Sequence, residues 1–274
     1  NHASHQDMEA ERSGWFTCSC CPTNITRLIP SVPGYMYATK GDVLYINLFA
    51  QGTASVSLNK NQVQVLQENN YPWNGDLIFK IDPKVAQDFR LMIRIPGWAR
   101  NEIVPSDLYT VKEKSDNPVE VIVNGRKIEY KVENGYAALS RKWKRGDVVQ
   151  VKLPMEIQQI VSHEKVQNNI GKIALQRGPL VYCAEWTDNQ GLVSNLILPE
   201  KSSFSSEFSR DLLNGVVIIK SEAIAVAVDS VNNKITSQEQ PFIAIPYYAW
   251  AHRGKGEMSV WIPQQVKAIE LITK

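Results

Sequence analysis

Val43-Leu44-Tyr45-Ile46-Asn47-Leu48-Phe49-Ala50 follows Gly41-Asp42 and alternates Val43, Tyr45, Asn47 and Phe49 against Leu44, Ile46 and Leu48. A period of two sends those sets to opposite faces of a strand, at least one of them buried. The same texture continues on the C-terminal side. Ala54 to Leu58, Gln62 to Leu66, Leu77 to Ile81, Arg90 to Ile95 and Val148 to Leu153 are short runs rich in Val, Ile, Leu and Phe. Gly, Asn, Asp and Pro break them, which predicts strands joined by turns. Val119 to Val123 turns at Asn124-Gly125 into Arg126 to Tyr130, the residue pair that a two-residue hairpin loop requires. Regular strands with frequent turns predict an antiparallel sandwich over about Tyr35 to Met155.

A second set of runs follows Pro154-Met155. Ile157 to Ser162, Lys172 to Gln176, Leu180 to Glu185, Leu192 to Leu198, Val216 to Ile219, Ala223 to Val228, Phe242 to Tyr248 and Met258 to Ile262 read as strands. They predict a second sandwich, whose last strand could return to the first. Gln167 to Asn169, Lys201 to Ser209 and Asn232 to Gln240 read as loops from their Ser, Asn and Gln content. Arg177-Gly178-Pro179 reads as a bulge or bend. The reading is therefore all-β, with two antiparallel β-sandwich domains at 35–155 and 156–274, after a short helical segment within 1–34. At 274 residues, 43% of them hydrophobic, the chain is long enough for two cores.

Charge and hydropathy narrow the function classes. Thirty Lys and Arg against 28 Asp and Glu give a net charge of +2, with no basic block, so nucleic acid is not expected as a partner. No apolar run approaches the roughly 20 residues of a membrane span. The compartment stays open.

Upstream of the strands, Gly14-Trp15-Phe16-Thr17-Cys18-Ser19-Cys20-Cys21-Pro22-Thr23-Asn24 packs three of the chain's four cysteines into four positions. Pro22 suits the first turn of a helix, and Ile25, Leu28 and Ile29 recur at helical spacing before Pro30 and Pro33-Gly34, which are expected to stop it. A helix starting just after the cysteines would put Cys20 and Cys21 at the positive end of its dipole, which favours the thiolate. That thiolate could be a nucleophile or a metal ligand. Cys18-x-x-Cys21 also permits a redox reading, but that reading wants a parallel βαβ setting, which the strand pattern does not supply. A closed structural zinc site needs four ligands, and the remaining Cys183 stands alone in an apolar run, as a core thiol does.

Trp15-Phe16-x-Cys18-x-Cys20-Cys21-Pro22-x-Asn24, followed by Arg27-Leu28 and Pro33-Gly34-Tyr35-x-Tyr37-Ala38-Thr39, resembles glycoside hydrolase family 127, the β-L-arabinofuranosidases and their relatives. Arg94-Ile95-Pro96-Gly97-Trp98-Ala99, Val123-Asn124-Gly125, Trp143-Lys144-Arg145-Gly146-Asp147 and Leu153-Pro154-Met155 follow in the family's order. So do Ala174 to Cys183 and Pro246-Tyr247-Tyr248-Ala249-Trp250-Ala251. The resemblance spans Trp15 to Trp261.

That resemblance implies a retaining glycosidase in which a zinc-bound cysteine thiolate replaces the usual carboxylate nucleophile. By position in the motif, Cys20 would attack the anomeric carbon while Cys20 and Cys21 bind zinc, which deprotonates a thiol without a general base. A glutamate would protonate the leaving oxygen and then activate water. In the family this acid, a further cysteine and glutamate for the metal, and sugar-binding residues belong to an (α/α)6 barrel that precedes the motif. Only 13 residues precede Gly14 here, so the expectation is a helical remnant of that barrel, an incomplete zinc shell and an inactive isolated chain. Glu9 and Glu11 read as solvated acids, and His2 and His5 as terminal residues. The implied partners are an arabinose-containing glycan, the helical barrel and a second copy in a dimer. The readings that compete are a non-catalytic sandwich module for glycan binding or dimerisation, and a free-standing metal or redox protein.

Trp73, Trp98, Trp143, Trp186, Trp250, Trp261, Tyr247 and Tyr248 are candidate sugar platforms, although aromatics beside strands mostly fill cores. His163 and His252 are isolated and read as hydrogen-bonded structural residues.

Overall fold

The structure, a computed structural model, describes Arg12 and residues 18–58, 60–229 and 234–269. His2, His5, Glu9, Glu11 and the Gly14 to Thr17 part of the motif lie outside the described residues. Two helices, α1 (Cys20–Ser31) and α2 (Pro33–Met36), precede the strands. In chain order these are β1 (Tyr37–Lys40), β2 (Val43–Ile46), β3 (Gly52–Leu58), β4 (Asn61–Asn69), β5 (Asp76–Pro83), β6 (Gln87–Arg94) and β7 (Tyr109–Val111). Next come β8 (Glu120–Val123), β9 (Arg126–Lys127), β10 (Lys131–Glu133), β11 (Tyr136–Trp143), β12 (Asp147–Lys152), β13 (Ile157–Ser162) and β14 (Lys172–Arg177). The last are β15 (Leu180–Glu185), β16 (Leu196–Ile197), β17 (Ser205–Ser209), β18 (Val216–Asp229), β19 (Lys234–Pro246), β20 (Met258–Ser259) and β21 (Ile262–Pro263).

The chain divides into two compact units. Gly14–Arg100 and Asp116–Met155 form one, while Asn101–Ser115 joins Glu156–Lys274 in the other. The stretch carrying β7 thus leaves the first unit, pairs with β13 through Val111↔Ile160, and the chain then returns to make β8.

In the first unit, a sheet of order β1-β2-β6-β11-β10 lies over one of order β3-β4-β5-β12-β8-β9, and side chains from both fill one core. Alternation sets the buried face. Along β5, Leu77, Phe79 and Ile81 point inward and are fully covered, each worth about 1.5–3 kcal/mol of transfer free energy. Trp143 is wholly buried, stacks on Phe89 at 5.6 Å and donates its indole N–H to the Phe89 carbonyl at 3.0 Å. The Asn124-Gly125 turn forms as its residues predict, with φ of 51° and 78°. Asn124 locks it by donating to Asp147 Oδ1 and accepting from Val148 N, both at 2.9 Å.

The expected Val43 to Ala50 strand ends at Ile46, because Asn47 turns its N–H to the Met36 carbonyl at 2.8 Å and its amide to Tyr35 O at 3.1 Å. β2 and β6 run parallel, an exception among antiparallel pairings. The run expected over Arg126 to Tyr130 keeps only two strand residues before β10 and β11 form a second hairpin across Asn134-Gly135, with φ of 50° and 82°.

The ten strands of the second unit are linked in one sheet of order β16-β18-β19-β15-β14-β13-β7, with β17 on β18, β20 on β15 and β21 on β14. The sheet folds back on itself: β21 pairs with β14, and the Pro263 carbonyl accepts the N–H of Leu198, next to β16, at 2.9 Å. Ile173, Leu175, Tyr182, Ile219, Phe242 and Ile262 form the core inside that circuit. Several expected elements differ. Lys201 to Ser209 ends in β17, and Asn232 to Gln240, read as a loop, is strand from Lys234 onward, paired with β18 through Asp229↔Lys234 to Ile219↔Ala244. Gln167 to Asn169 is a 3-10 turn, and Leu192 to Leu198 keeps only two strand residues. Of the bulge or bend expected at Arg177-Gly178-Pro179 the bend is what forms: Arg177 pairs with Leu180, so Gly178 and Pro179 make the hairpin turn between β14 and β15.

Candidate functional site

Cys20 and Cys21 open the first turn of α1, two residues earlier than the sequence reading placed the helix start. Ser19 is the N-cap residue without a side-chain cap, and Thr23 donates its hydroxyl to Ser19 O at 2.9 Å. Pro30 does not stop the helix. It stands one residue before the end, where its missing N–H removes a single bond from the last turn. Ile25, Leu28, Ile29 and Val32 line one side of this segment and are exposed, an apolar stripe at helical spacing.

The three thiols are exposed and adjacent: Cys18 Sγ lies 3.3 Å from Cys20 Sγ, which lies 3.8 Å from Cys21 Sγ. The Cys20 backbone N–H, reinforced by the Cys20 thiol, holds Cys18 below the ordinary thiol range. The Cys18 and Cys21 thiols push Cys20 up. Within the cluster Cys18 is lowered, and the helix dipole at Cys20 is offset because hydrogen bonding with its two neighbouring sulfurs favours the protonated Cys20 thiol.

Sulfur ligands about 2.3 Å from a tetrahedral zinc lie about 3.8 Å from each other. Cys20 and Cys21 meet that separation, and Cys18 sits closer to Cys20 than it allows. Soft, exposed thiols fit two ligand positions of such a site. Among the described residues no group of three or more His, Cys, Asp or Glu is arranged to hold a metal ion.

Cys183 lies in the core of the second unit, where burial pushes its thiol up to about 12. His163 accepts the Lys165 N–H on Nδ1 at 3.1 Å, with Nε2 3.7 Å from Asp107. His252 is exposed. Sequence reasoning missed the charged cluster beside Cys183. Buried Glu185 accepts the Ala251 N–H at 2.8 Å and Arg253 Nε at 3.1 Å, and Arg253 Nη1 reaches Asp188 Oδ1 at 2.8 Å. A separation of 65 or more positions along the chain hides the cluster from any local reading. Trp186 packs so closely on Gly256 that a Cβ there would meet the indole at 2.1 Å.

Comparison with known proteins gives the chain its family. Residues 43–155 match "Beta-L-arabinofuranosidase, GH127 middle domain", and residues 157–263 match "Glycoside hydrolase family 127 C-terminal domain". A non-reducing end β-L-arabinofuranosidase of Bifidobacterium longum subsp. longum is 31% identical over 270 residues, covering 92% of this chain and 38% of that protein. A solved GH127 β-arabinofuranosidase superposes with a TM-score of 0.90 at 42% identity, over 94% of this chain and 40% of the other. A GH127 β-L-arabinofuranosidase from Geobacillus stearothermophilus T6 gives 0.82 at 37% identity, over 94% and 39%. The chain thus spans about two fifths of the length of these relatives. Two family descriptions in sequence order, and a fold shared over nearly every residue, establish that the chain belongs to glycoside hydrolase family 127, whose middle and C-terminal domains it carries.

Proposed function

We propose that this chain acts as the C-terminal part of a retaining β-L-arabinofuranosidase-like hydrolase, with Cys20 as its nucleophile. The observation that carries the reading is the exposed Cys20–Cys21 pair, 3.8 Å apart on the first turn of α1, in a chain of this family. Cys20 Sγ, as the thiolate, forms a bond to the anomeric carbon of an arabinofuranoside while the bond to the leaving oxygen breaks. That oxygen takes a proton from a carboxylic acid of the helical part of the enzyme. Water then attacks the same carbon, giving its proton to the resulting carboxylate, and the C–S bond breaks to return the Cys20 thiolate. Two inversions leave the configuration retained. Cys20 and Cys21 would hold zinc, which when bound supplies a deprotonated, fixed thiolate at neutral pH. The apolar stripe of Ile25, Leu28, Ile29 and Val32 supports a helical partner on α1.

In the enzyme that includes that partner, Cys20→Ser is expected to abolish turnover of an aryl β-L-arabinofuranoside, and Cys21→Ser to lower zinc content as well. The 274-residue chain alone is expected to give no turnover. Full activity of the Cys20→Ser enzyme would refute the nucleophile assignment, and turnover by the chain alone would refute the need for a helical part.

A further inference from the structure

The second unit contains a cavity of about 850 Å³ that none of the chemistry above uses. It opens beside β15, β20 and β21, and its lining includes Asn168, Asn169, Lys172, Ser194, Tyr247, Glu257 and Trp261. A volume in the range of drug-sized ligand sites calls for more than a single sugar ring.

The lining is fixed before any ligand arrives. Trp261 is backed by Tyr109, with ring centres 5.6 Å apart, and its carbonyl accepts the Ser259 hydroxyl at 2.9 Å. Tyr247 is 42% exposed and stacked on Trp250 at 6.5 Å, so it offers a ring to solvent while its neighbour supports it. Glu257 is pinned, one carboxylate oxygen accepting the Val193 and Ser194 N–H groups at 3.0 and 2.9 Å. Asn168 and Asn169 come from the turn between β13 and β14, and each amide offers both donors and an acceptor.

These groups select a ligand class. Among the charged residues of the lining, Lys172 is balanced by Glu257, so no surplus charge awaits a phosphate or a carboxylate. Val181, Val193, Val260 and Ile269 add apolar surface, but an acyl chain laid along this wall would take Asn168, Asn169 and Ser194 out of water without giving them a hydrogen-bond partner. A lining that combines two flat rings with amides and a hydroxyl matches a sugar, whose ring has an apolar C–H face and a rim of hydroxyls that donate and accept.

We propose that this cavity binds a neutral oligosaccharide, stacked on Trp261 and Tyr247 and hydrogen-bonded by Asn168, Asn169 and Ser194. The proposal rests on the functional reading above only for its choice of an arabinose-containing probe.

The test is a titration of the ¹⁵N-labelled 274-residue chain with linear arabino-oligosaccharides, following the Trp261 indole N–H, which Trp261→Phe identifies. A saturable shift is expected, about tenfold weaker in Tyr247→Ala and in Asn169→Ala and unchanged in Cys20→Ser. Asn169 lies in a surface turn outside the core clusters, so its variant keeps the test valid should Tyr247→Ala fail to fold. In the enzyme with its helical part, both variants should hydrolyse a small aryl arabinofuranoside as the parent does. No saturable shift, binding undiminished in both variants, or preferential binding of inorganic phosphate would overturn the proposal. Loss of small-substrate hydrolysis in folded Asn169→Ala would also overturn it, by making this cavity part of the catalytic centre. Failure of the Cys20 prediction leaves all these readouts unchanged, so the two readings fail separately.

Discussion

Arg253→Met removes the cation from the cluster that closes the 247–253 segment onto β15. Glu185, whose side chain is 2% exposed, would be left with the Ala251 N–H but without its counter-charge. Breaking a buried pair in this way costs about 3–5 kcal/mol, because the remaining charge stays desolvated. Asp188 and Arg253 are more open, at 13% and 20%, so water can replace part of what Asp188 loses. The low end applies, about 3 kcal/mol, which corresponds to a fall in Tm of about 6–10 °C for a chain of this size. Urea denaturation followed by circular dichroism measures the loss. The control is Lys127→Met, which breaks an exposed pair with Glu120 and should leave the urea midpoint nearly unchanged. Adding Glu185→Gln to Arg253→Met should regain part of the loss, since the amide oxygen can still accept the Ala251 N–H without a charge. A single variant within 1 kcal/mol of the parent, or a double variant no more stable than the single, would refute this reasoning.

Three further outcomes can be measured directly. A thiol reagent should modify Cys18, Cys20 and Cys21 in the native chain and Cys183 only after unfolding, so three thiols should titrate quickly and four in denaturant. Burial raises Cys183 from 9.0 to about 12, so the native state holds its proton where the unfolded state has lost it. Its contribution is fully present below pH 9 and falls as pH rises toward 12, by up to about 1.4 kcal/mol per unit. Between pH 9 and 10, below the ordinary value of 10.0 for Tyr71 and Tyr182, which also shift upward, Cys183→Ala should flatten the decline seen in urea midpoints. Gly75→Ala would put a Cβ 2.1 Å from the Leu153 carbonyl, a backbone atom that cannot swing aside, and should cost at least about 2 kcal/mol by the same assay.

Much of the strand pattern is legible where one face is apolar and the turn residues are strict. β5 with Leu77, Phe79 and Ile81, and the Asn124-Gly125 turn, are of this kind. β11 escaped notice because Ala137, Ala138, Ser140, Arg141 and Lys142 lack β-branched side chains, although Ala137 and Leu139 are buried and pair with Ile93 and Leu91. The Lys234 to Glu239 stretch is exposed along its length, so no alternation marks it as a strand, and only its pairing with β18 makes it one. The cysteine cluster is plain in the sequence, but the lowering of Cys18 and the raising of Cys20 depend on which sulfur sits against which N–H, a matter of ångströms. The cavity beside β15 and the Glu185 cluster draw on residues far apart in the chain, and only the folded sheet brings them together.

The excursion of residues 101–115 has a topological consequence. Because β7 is lent by one unit to the other, the polypeptide leaves the first unit after Arg100, returns to it before Asp116 and leaves it again after Met155. The halves are therefore not beads on a string that recombination could exchange with a single cut. A gene ending at Met155 would leave a strand stranded without β13, and one starting at Glu156 would expose the edge that β7 normally occupies.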